Sequence, residues 1–449
     1  MLKISLLVLC IFTLFNSYTV EARSADGIRG TFSNLQRLGD SYNAVPQERI
    51  RDFPTISLHG TNEILVDRET WFDGAITITD PNNPATDMHN IIVDIRGRGN
   101  STWFYGEDKR PLRFRFNEPI PILHFEHEAR TWVMLANHFD HSLMRNFSAL
   151  YFASLLEGMY WTPVQQFVHL YFNDEYMGLY QITDERDIGD GRARLTLDHD
   201  PTISEFFLEL DWRAFRDAEE FIDYVRVNDM VYDIRFPSGS MRSVEHGEYV
   251  YDFLSRVSYL IREGRFDELI NYIDIDSFVD FYIVQELFAN MDSGMSSVFM
   301  QIMGQGEYRR LYKGPVWDFD LSSGNVGHVS MFDGEYLYTP EGFVTGDLNY
   351  WYRYLLEIPE FRYALQQRWA HVLDTYVPQV IAQIEYISTN YYDAFLRNFE
   401  RHDVLGTRVY FDERPVTTPA MAEISTFMGH VEYLIAFLEA RAKWLDMAF

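Results

Sequence analysis

The sequence is organised around one short stretch, Gly314–Asn325, which reads GPVWDFDLSSGN. Two carboxylates, Asp318 and Asp320, stand two residues apart on an apolar run that ends in a glycine-containing turn. In an extended segment, residues i and i+2 point the same way, so we expect both carboxylates to share one face. Neighbouring carboxylates repel each other unless a cation or a donor compensates them, and Mg²⁺ is one such cation. The alternative is a strand end at which one Asp caps the next turn.

The first residues predict a secretory leader. A lysine precedes the apolar run Ile4–Phe15, and Val20-Glu21-Ala22 fits a cleavage site. We therefore expect a signal peptide over residues 1–22, cleaved near Ala22, and a poorly ordered lead-in over 23–53. The mature protein would be secreted, held at the cell surface or kept in a periplasm. The only cysteine, Cys10, lies inside this leader, so we expect no disulfides.

The charge balance narrows the classes of partner. The chain carries 67 acidic and 38 basic residues, which gives a net charge of −29. Such a surface disfavours nucleic acid and anionic membranes as partners. No apolar run after the leader reaches the length of a membrane span. The oligomeric state is open at this stage.

Hydrophobic periodicity predicts an α+β protein. Period-2 alternation indicates strands over 54–96, a hairpin over 166–184 and a strand at Phe206–Asp211. From residue 244 onward the pattern is mostly helical, and the run Phe278–Ala289 is apolar nearly all round, which is typical of a buried helix. We expect one domain over 54–449, with a β-rich part over 54–240 and a mostly helical part over 241–449.

A basic, glycine-rich loop follows one of these strands. It reads RGRGNST over residues 96–102. Its glycines let backbone N–H groups approach an anion, while its arginines add charge-assisted donors. The candidate anion-binding residues are Arg96, Gly97, Arg98, Gly99, Asn100 and Ser101. The alternative is a hairpin connection with solvated arginines.

The segment after this loop carries one of the few lysines. Only four of the 38 basic residues are lysine, and Lys109 lies next to the alternating strand Leu112–Phe116. A lysine retained against this bias suits a position that needs a compact ammonium group. The alternation places Arg113 and Arg115 on the face opposite the core, where they would line a cleft.

Taken in order, six stretches resemble the CotH family of atypical protein kinases. The resemblance covers about residues 54–330. The six stretches are 95–103 (IRGRGNSTW), 109–111 (KRP), Asn137 with 142–146 (SLMRN), 173–180 (NDEYMGLY), 290–293 (NMDS) and 314–320 (GPVWDFD).

This resemblance implies a divergent, two-lobed protein-kinase-like fold, β-rich in its N-terminal part and helical in its C-terminal part. It implies transfer of the γ-phosphate of ATP to protein Ser or Thr hydroxyls, with Mg²⁺ or Mn²⁺. Surface or coat proteins would be the acceptors.

The family's roles can be carried over residue by residue. The 96–102 loop would stand in place of the kinase Gly-rich loop. Lys109 would contact nucleotide phosphates, with Glu185 as its charge partner. Asp292 would correspond to the catalytic-loop Asp, and Asp318, Asp320 or both would hold the metal. The chain lacks G-x-G-x-x-G, V-A-I-K, H-R-D and A-P-E, so the division of roles among the three aspartates stays open.

Two other functions compete with this interpretation. The first is an extracellular or surface binding protein that uses a kinase-like scaffold without turnover, since a fold does not determine a function. The second is a secreted polysaccharide enzyme with Glu185 and Glu209 as its carboxylate pair and an aromatic platform. No motif in the sequence supports the second.

Overall fold

The computed structural model of the protein describes residues 52–325 and 339–449, without residues 107, 190, 217, 412, 413 and 416. The predicted signal peptide, 1–22, and the predicted lead-in up to residue 51 lie outside the described residues. Within the described part of the chain, no helix has both the length and the apolarity that a bilayer crossing needs.

Seven strands in the N-terminal part form a closed barrel in the order β1-β2-β3-β4-β5-β7-β6. The strand pairs are antiparallel except β1 and β6, which run parallel and close the barrel. The strands are β1 (Thr55–Gly60), β2 (Phe72–Thr79), β3 (Met88–Gly97), β4 (Leu112–Ile120), β5 (Ala129–Leu135), β6 (Gln165–Phe172) and β7 (Glu175–Asp184).

A second sheet has five strands in the order β12-β11-β8-β10-β9, and a small hairpin adds β13 and β14. These strands are β8 (Phe206–Leu210), β9 (Tyr224–Val227), β10 (Met230–Phe236), β11 (Val298–Met303), β12 (Arg310–Lys313), β13 (Tyr410–Phe411) and β14 (Arg414–Pro415).

Two α-helices interrupt the barrel strands, and the remaining described ones follow β10. They are α1 (Ser101–Tyr105), α2 (Arg145–Ser154), α3 (Val244–Arg262), α4 (Phe266–Leu269), α5 (Ile275–Leu287), α6 (Thr345–Leu348), α7 (Tyr350–Leu355), α8 (Pro359–Asn390), α9 (Tyr392–Arg401), α10 (Pro419–Ala422) and α11 (Phe427–Ala448). The predicted α+β class, with a β-rich N-terminal part and a helical C-terminal part, is confirmed. The closed barrel was not predicted.

The central helix of the C-terminal part is α5. The carboxylate of Asp274 caps it by accepting from the Ser277 N–H at 2.8 Å. Every residue from Ser277 to Leu287 is buried, as the apolar pattern predicted. It packs against α2, α8 and α11. The 3₁₀ turn Met291–Gly294 follows its end, so a rigid core element holds that turn.

A fully buried ion pair joins α5 to α11. Arg441 Nη2 donates to Glu286 Oε2 at 2.5 Å, and neither side chain is exposed. The same carboxylate accepts from the N–H groups of Val344 and Gly346 at 3.0 and 2.7 Å. Arg441 also donates from Nη1 to the Pro340 carbonyl at 3.2 Å. The pair therefore fixes the chain that leads into α6.

Replacing Arg441 with Met should destabilise the protein by about 3–5 kcal/mol, because it leaves the Glu286 carboxylate buried without its cation. Urea denaturation measures this change. The double variant E286Q/R441M should recover part of the loss. The matched control is Arg262→Met, since Arg262 forms an exposed pair with Glu263, and it should leave the free energy of unfolding nearly unchanged. Equal losses in R441M and R262M would contradict the prediction.

Candidate active site

Three chain segments meet at one edge of the second sheet. The register pairs Val298 at the start of β11 with Leu210 at the end of β8. It also pairs Met300 with Lys313, the last residue of β12. Because both neighbours run antiparallel to β11, the segments after β8, before β11 and after β12 emerge at the same edge. These segments carry Asp211, Asp292 and Asp318 respectively.

Asp292 lies in the 3₁₀ turn between α5 and β11. The Asn290 side chain caps this turn by accepting from the Asp292 N–H at 3.1 Å. Burial and the negative charge of Asp318 raise the pKa of Asp292 to about 7, whereas Arg213 lowers it. A carboxyl group whose pKa lies near neutrality is suited to taking up a proton.

The two aspartates of the opening motif both interact electrostatically with Asp292, but they differ in burial and in backbone conformation. Asp318 is half-buried, has φ of +68°, and accepts from Ser297 Oγ at 3.2 Å. Asp320 is buried, and desolvation together with Asp318 raises its pKa well above the ordinary value. The charge of Asp292 acts on it in the same direction.

The expectation that Asp318 and Asp320 share one face of an extended strand was wrong. Strand β12 ends at Lys313, and Asp318 adopts a left-handed conformation that an extended segment does not contain. The carboxylates come together through this turn of the chain rather than through strand alternation. Their mutual repulsion, which the alternation argument predicted, is present.

A chain of amide side chains ties the motif to the rest of the protein. The Phe319 N–H donates to Asn146 Oδ1 at 2.7 Å, and Asn146 donates to Asn137 at 2.9 Å. Asn137 in turn donates to Gln181 on β7 at 3.0 Å. The backbone between the two aspartates is thus fixed to α2 and to the barrel.

The barrel contributes a cluster of arginines around Glu185. Arg113 Nη1 donates to Glu185 Oε2 at 2.9 Å, and Arg186 Nη2 lies 3.5 Å from Oε1. Burial would raise the pKa of Glu185, but Arg186, Arg113 and Arg98 lower it to about 2. The expected pairing of Glu185 with Lys109 was wrong, because the strand register places Arg113 there instead. Arg113 aligns with Val133 of β5 and, through it, with Thr183 of β7.

Trp317 lies between these arginines and the acidic residues. The guanidinium carbons of Arg186 and Arg98 lie 4.7 and 5.9 Å from its ring centroid. The charge of Asp318 acts on Arg98, whose pKa burial lowers to about 10. The Nε atoms of Arg98, Arg113 and Arg186 are buried and lack a hydrogen-bond acceptor among the described residues. Unpaired buried donors fit an anionic ligand, since leaving them unmatched costs free energy.

The glycine-rich loop is held tightly on the barrel. A Cβ at Gly97 would lie 2.1 Å from the Trp103 ring, and Gly99 has φ of +92°. Arg68 Nη1 donates to the Gly99 carbonyl and to Asn100 Oδ1. The predicted loop is therefore the end of β3 followed by the short helix α1, which begins at Ser101.

The two arginines of this loop diverge. Arg98 turns toward Trp317 and the acidic residues, whereas Arg96 lies over Trp71 at 4.6 Å and donates to the Glu69 carbonyl at 2.9 Å. The structure thus brings Arg98 to the candidate site and binds Arg96 to the outer surface of the barrel.

Lys109 occupies a separate, buried position. Its ammonium group lies 5.4 Å from the Tyr180 ring centroid and has no hydrogen-bond acceptor among the described residues. Burial lowers its pKa to about 7, while the charge of Asp140 raises it. Its contact with nucleotide phosphates stays a prediction.

The acidic cluster fits a divalent metal in one respect. Asp292, Asp318 and Asp320 repel one another, which a cation would relieve. Among the described residues, however, no three His, Cys, Asp or Glu side chains are grouped closely enough to hold an ion alone. The donor set therefore suits Mg²⁺ or Mn²⁺ bound by one or two carboxylates together with phosphate oxygens, as Mg²⁺ commonly is.

Comparison with known proteins identifies the family. The family model described as CotH kinase protein matches residues 95–445, well over half of the chain. The chain belongs to the CotH kinase family. Membership indicates an atypical kinase and implies the use of ATP. A search among curated proteins gave no match.

For this CotH kinase family member, sequence reasoning missed two arginines at the site. Arg186 directly follows Glu185, but the short Glu-Arg-Asp segment after a strand has no recognisable pattern. Arg213 follows Asp211 at the end of β8, and the only available signal was its spacing of two from a strand-end carboxylate. Both residues reach the site through pairing between distant strands.

Replacing Lys109 with Met should reduce the rise in stability between pH 7 and pH 9. In the unfolded chain the pKa of a lysine is about 10.4, whereas that of Lys109 in the folded protein is about 7. Between these two pH values the unfolded chain therefore binds more protons than the folded protein. Stability therefore rises with pH, by at most about 1.4 kcal/mol per pH unit for one lysine. Urea denaturation at both pH values measures the slope.

The control for this experiment is Lys443→Met, which removes an exposed lysine on α11. Lys313 is also buried with a pKa lowered to about 7, so part of the rise should persist in the K109M variant. An unchanged slope in K109M would contradict the assignment of a neutral lysine at this position.

Proposed function

We propose that the protein is an exported protein kinase that transfers the γ-phosphoryl group of ATP to Ser or Thr hydroxyls of other proteins. The observation that carries this proposal is the meeting of two opposite charge clusters at Trp317. One cluster consists of three mutually repelling carboxylates, and the other of arginines with unpaired donors. Phosphoryl transfer needs both, because a metal and cations balance the phosphate charge while a carboxylate orients the acceptor.

The barrel and the helical part would act as the two lobes of a divergent protein-kinase-like fold. In this arrangement Arg98, Arg113 and Arg186 face the phosphates from the barrel. Asp318 and Asp320 would hold Mg²⁺ or Mn²⁺, which when bound neutralises charge on the phosphate oxygens. Glu185 would keep Arg113 and Arg186 in position.

Asp292 would serve as the proton acceptor. The acceptor hydroxyl oxygen forms a bond to the γ-phosphorus while the bond from that phosphorus to the β,γ-bridging oxygen breaks. ADP leaves, and the hydroxyl proton passes to the Asp292 carboxylate. The raised pKa of Asp292, near 7, suits this role because the carboxylate is then a stronger base than an exposed aspartate.

Replacing Asp292 with Asn should lower the transfer rate roughly 10²- to 10⁴-fold, because the variant has no base. Transfer of labelled γ-phosphate to the protein itself and to a generic acceptor, with Mg²⁺ and with Mn²⁺, measures it. Nucleotide affinity should be retained, since the arginine cluster is intact. The matched control is Asp252→Asn on the exposed surface of α3.

Two outcomes would reject the kinase proposal. Folded wild-type protein that binds neither nucleotide nor metal would exclude it. Nucleotide binding without transfer, equal in wild type and D292N, would instead favour a binding protein on a kinase-like scaffold.

Replacing Arg186 with Met should weaken ATP binding, because it removes a cation and a donor from the proposed phosphate site. We expect roughly a tenfold rise in Kd, measured by isothermal titration. Arg115→Met is the control, since Arg115 lies over Trp71 at 4.2 Å much as Arg186 lies over Trp317. Equal effects of the two substitutions would argue against a phosphate site at Arg186.

A further inference from the structure

The turn that follows β8 is attached to the loop that carries Asp292. The Trp212 N–H donates to the Met295 carbonyl at 3.0 Å. Arg213 Nη2 donates to Ser296 Oγ at 2.7 Å. The Ser296 N–H in turn donates to the Asp292 carbonyl at 3.0 Å. These bonds hold the turn and the loop as one unit.

The guanidinium of Arg213 is locked in place by its own neighbour. Asp211 Oδ1 accepts from the Arg213 backbone N–H at 3.0 Å and from Nε at 2.9 Å. Oδ2 accepts from Nη2 at 3.2 Å. Such a two-point pair fixes the planar, positively charged group in one orientation.

The fixed guanidinium of Arg213 interacts electrostatically with the carboxylates of Asp292 and Asp318. Burial lowers the pKa of Arg213, but its bonds with Asp211 and the charges of Asp292 and Asp318 raise it above the ordinary value. Arg213 lies in the turn after β8 of the second sheet and is separate from the barrel arginines around Glu185. The acidic cluster therefore has one positive charge built into the protein on the side of Asp292.

We propose that Arg213 is a positioning residue that takes the place of a metal ion beside Asp292. The fixed guanidinium directs the divalent cation to Asp318 and Asp320 and leaves the Asp292 carboxylate open to the acceptor hydroxyl. This assignment rests on the proposed kinase function for its catalytic consequence. Its consequence for metal binding is independent of turnover.

The test measures Mn²⁺ binding to the nucleotide-free protein by electron paramagnetic resonance of free Mn²⁺. Arg213→Gln should tighten Mn²⁺ binding roughly tenfold, because the competing positive charge is gone. Arg213→Lys should keep the wild-type affinity, since it retains the charge. The control Arg216→Gln, which removes an exposed arginine stacked on Trp212 at 4.9 Å, should change nothing.

Transfer of phosphate should change in the opposite direction. The kcat of R213Q should fall at least about tenfold at saturating ATP and metal, because Asp292 is then drawn into metal binding. A purely structural role for Arg213 would weaken metal binding and transfer together. Wild type that binds Mn²⁺ but transfers no phosphate would refute the kinase proposal alone.

Tighter Mn²⁺ binding in R213Q has two possible sources, the carboxylate of Asp292 and that of Asp211. The double variant D211N/R213Q distinguishes them. It removes the Asp211 carboxylate that R213Q sets free. Tightening that persists in the double variant supports the proposal, because Asp292 is then the added ligand. Three results would overturn it, namely unchanged or weaker Mn²⁺ binding in R213Q, tightening in R213K, and loss of the tightening in the double variant.

Discussion

The candidate site depends on a buried ion pair that lies behind it, between Asp140 and Arg145. Arg145 Nη1 donates to Asp140 Oδ1 at 2.5 Å, and both side chains are fully buried. Arg145 uses its other donors on the carbonyls of Ser322 and Ser323, at 3.0 and 3.2 Å. One cation thus holds the first turn of α2 and the chain just after Asp320. The position of Asp320 follows from this contact because only one residue, Leu321, separates it from Ser322.

The positive and the negative charges of the site come from two different sheets. The barrel supplies the cations Arg98, Arg113 and Arg186, while the edge of the second sheet supplies the three aspartates. Each set is unfavourable alone, since like charges in a poorly solvated place repel one another. Trp317 lies between them and contacts two of the arginines. The strain of assembling both clusters would be relieved by a ligand that is itself a metal-bound polyanion.

Much of the fold could be predicted because it rests on local periodicity. The hairpin β6–β7 and the buried helix α5 lie close to their predicted bounds, since period 2 and an all-round apolar pattern are visible in any short window. The closure of the barrel could not be predicted. It pairs Thr55 of β1 with His169 of β6, and nothing in either segment alone specifies such a distant partner.

The same limit applies to the candidate site. The composition of the motif Asp318-Phe319-Asp320 identified it as a candidate site. Its geometry depends on the left-handed conformation of Asp318, which strand alternation does not predict. The sequence predicted Lys109 as the partner of Glu185, whereas the structure has Arg113 there, and this difference has a similar cause. Lys109 was singled out by its rarity, whereas the pairing follows from the register of three neighbouring strands. Rarity of a residue type says nothing about which strand lies beside it.

The two buried ion pairs hold the chain at two separate places. Arg145 fixes the carbonyls of Ser322 and Ser323, and the Glu286–Arg441 pair fixes the chain from Pro340 to Gly346. The chain on each side of residues 326–338 is therefore anchored independently. The two pairs share no residue and join different elements, α2 in one case and α5 with α11 in the other. Loss of one ion pair should therefore leave in place the part of the chain that the other one holds.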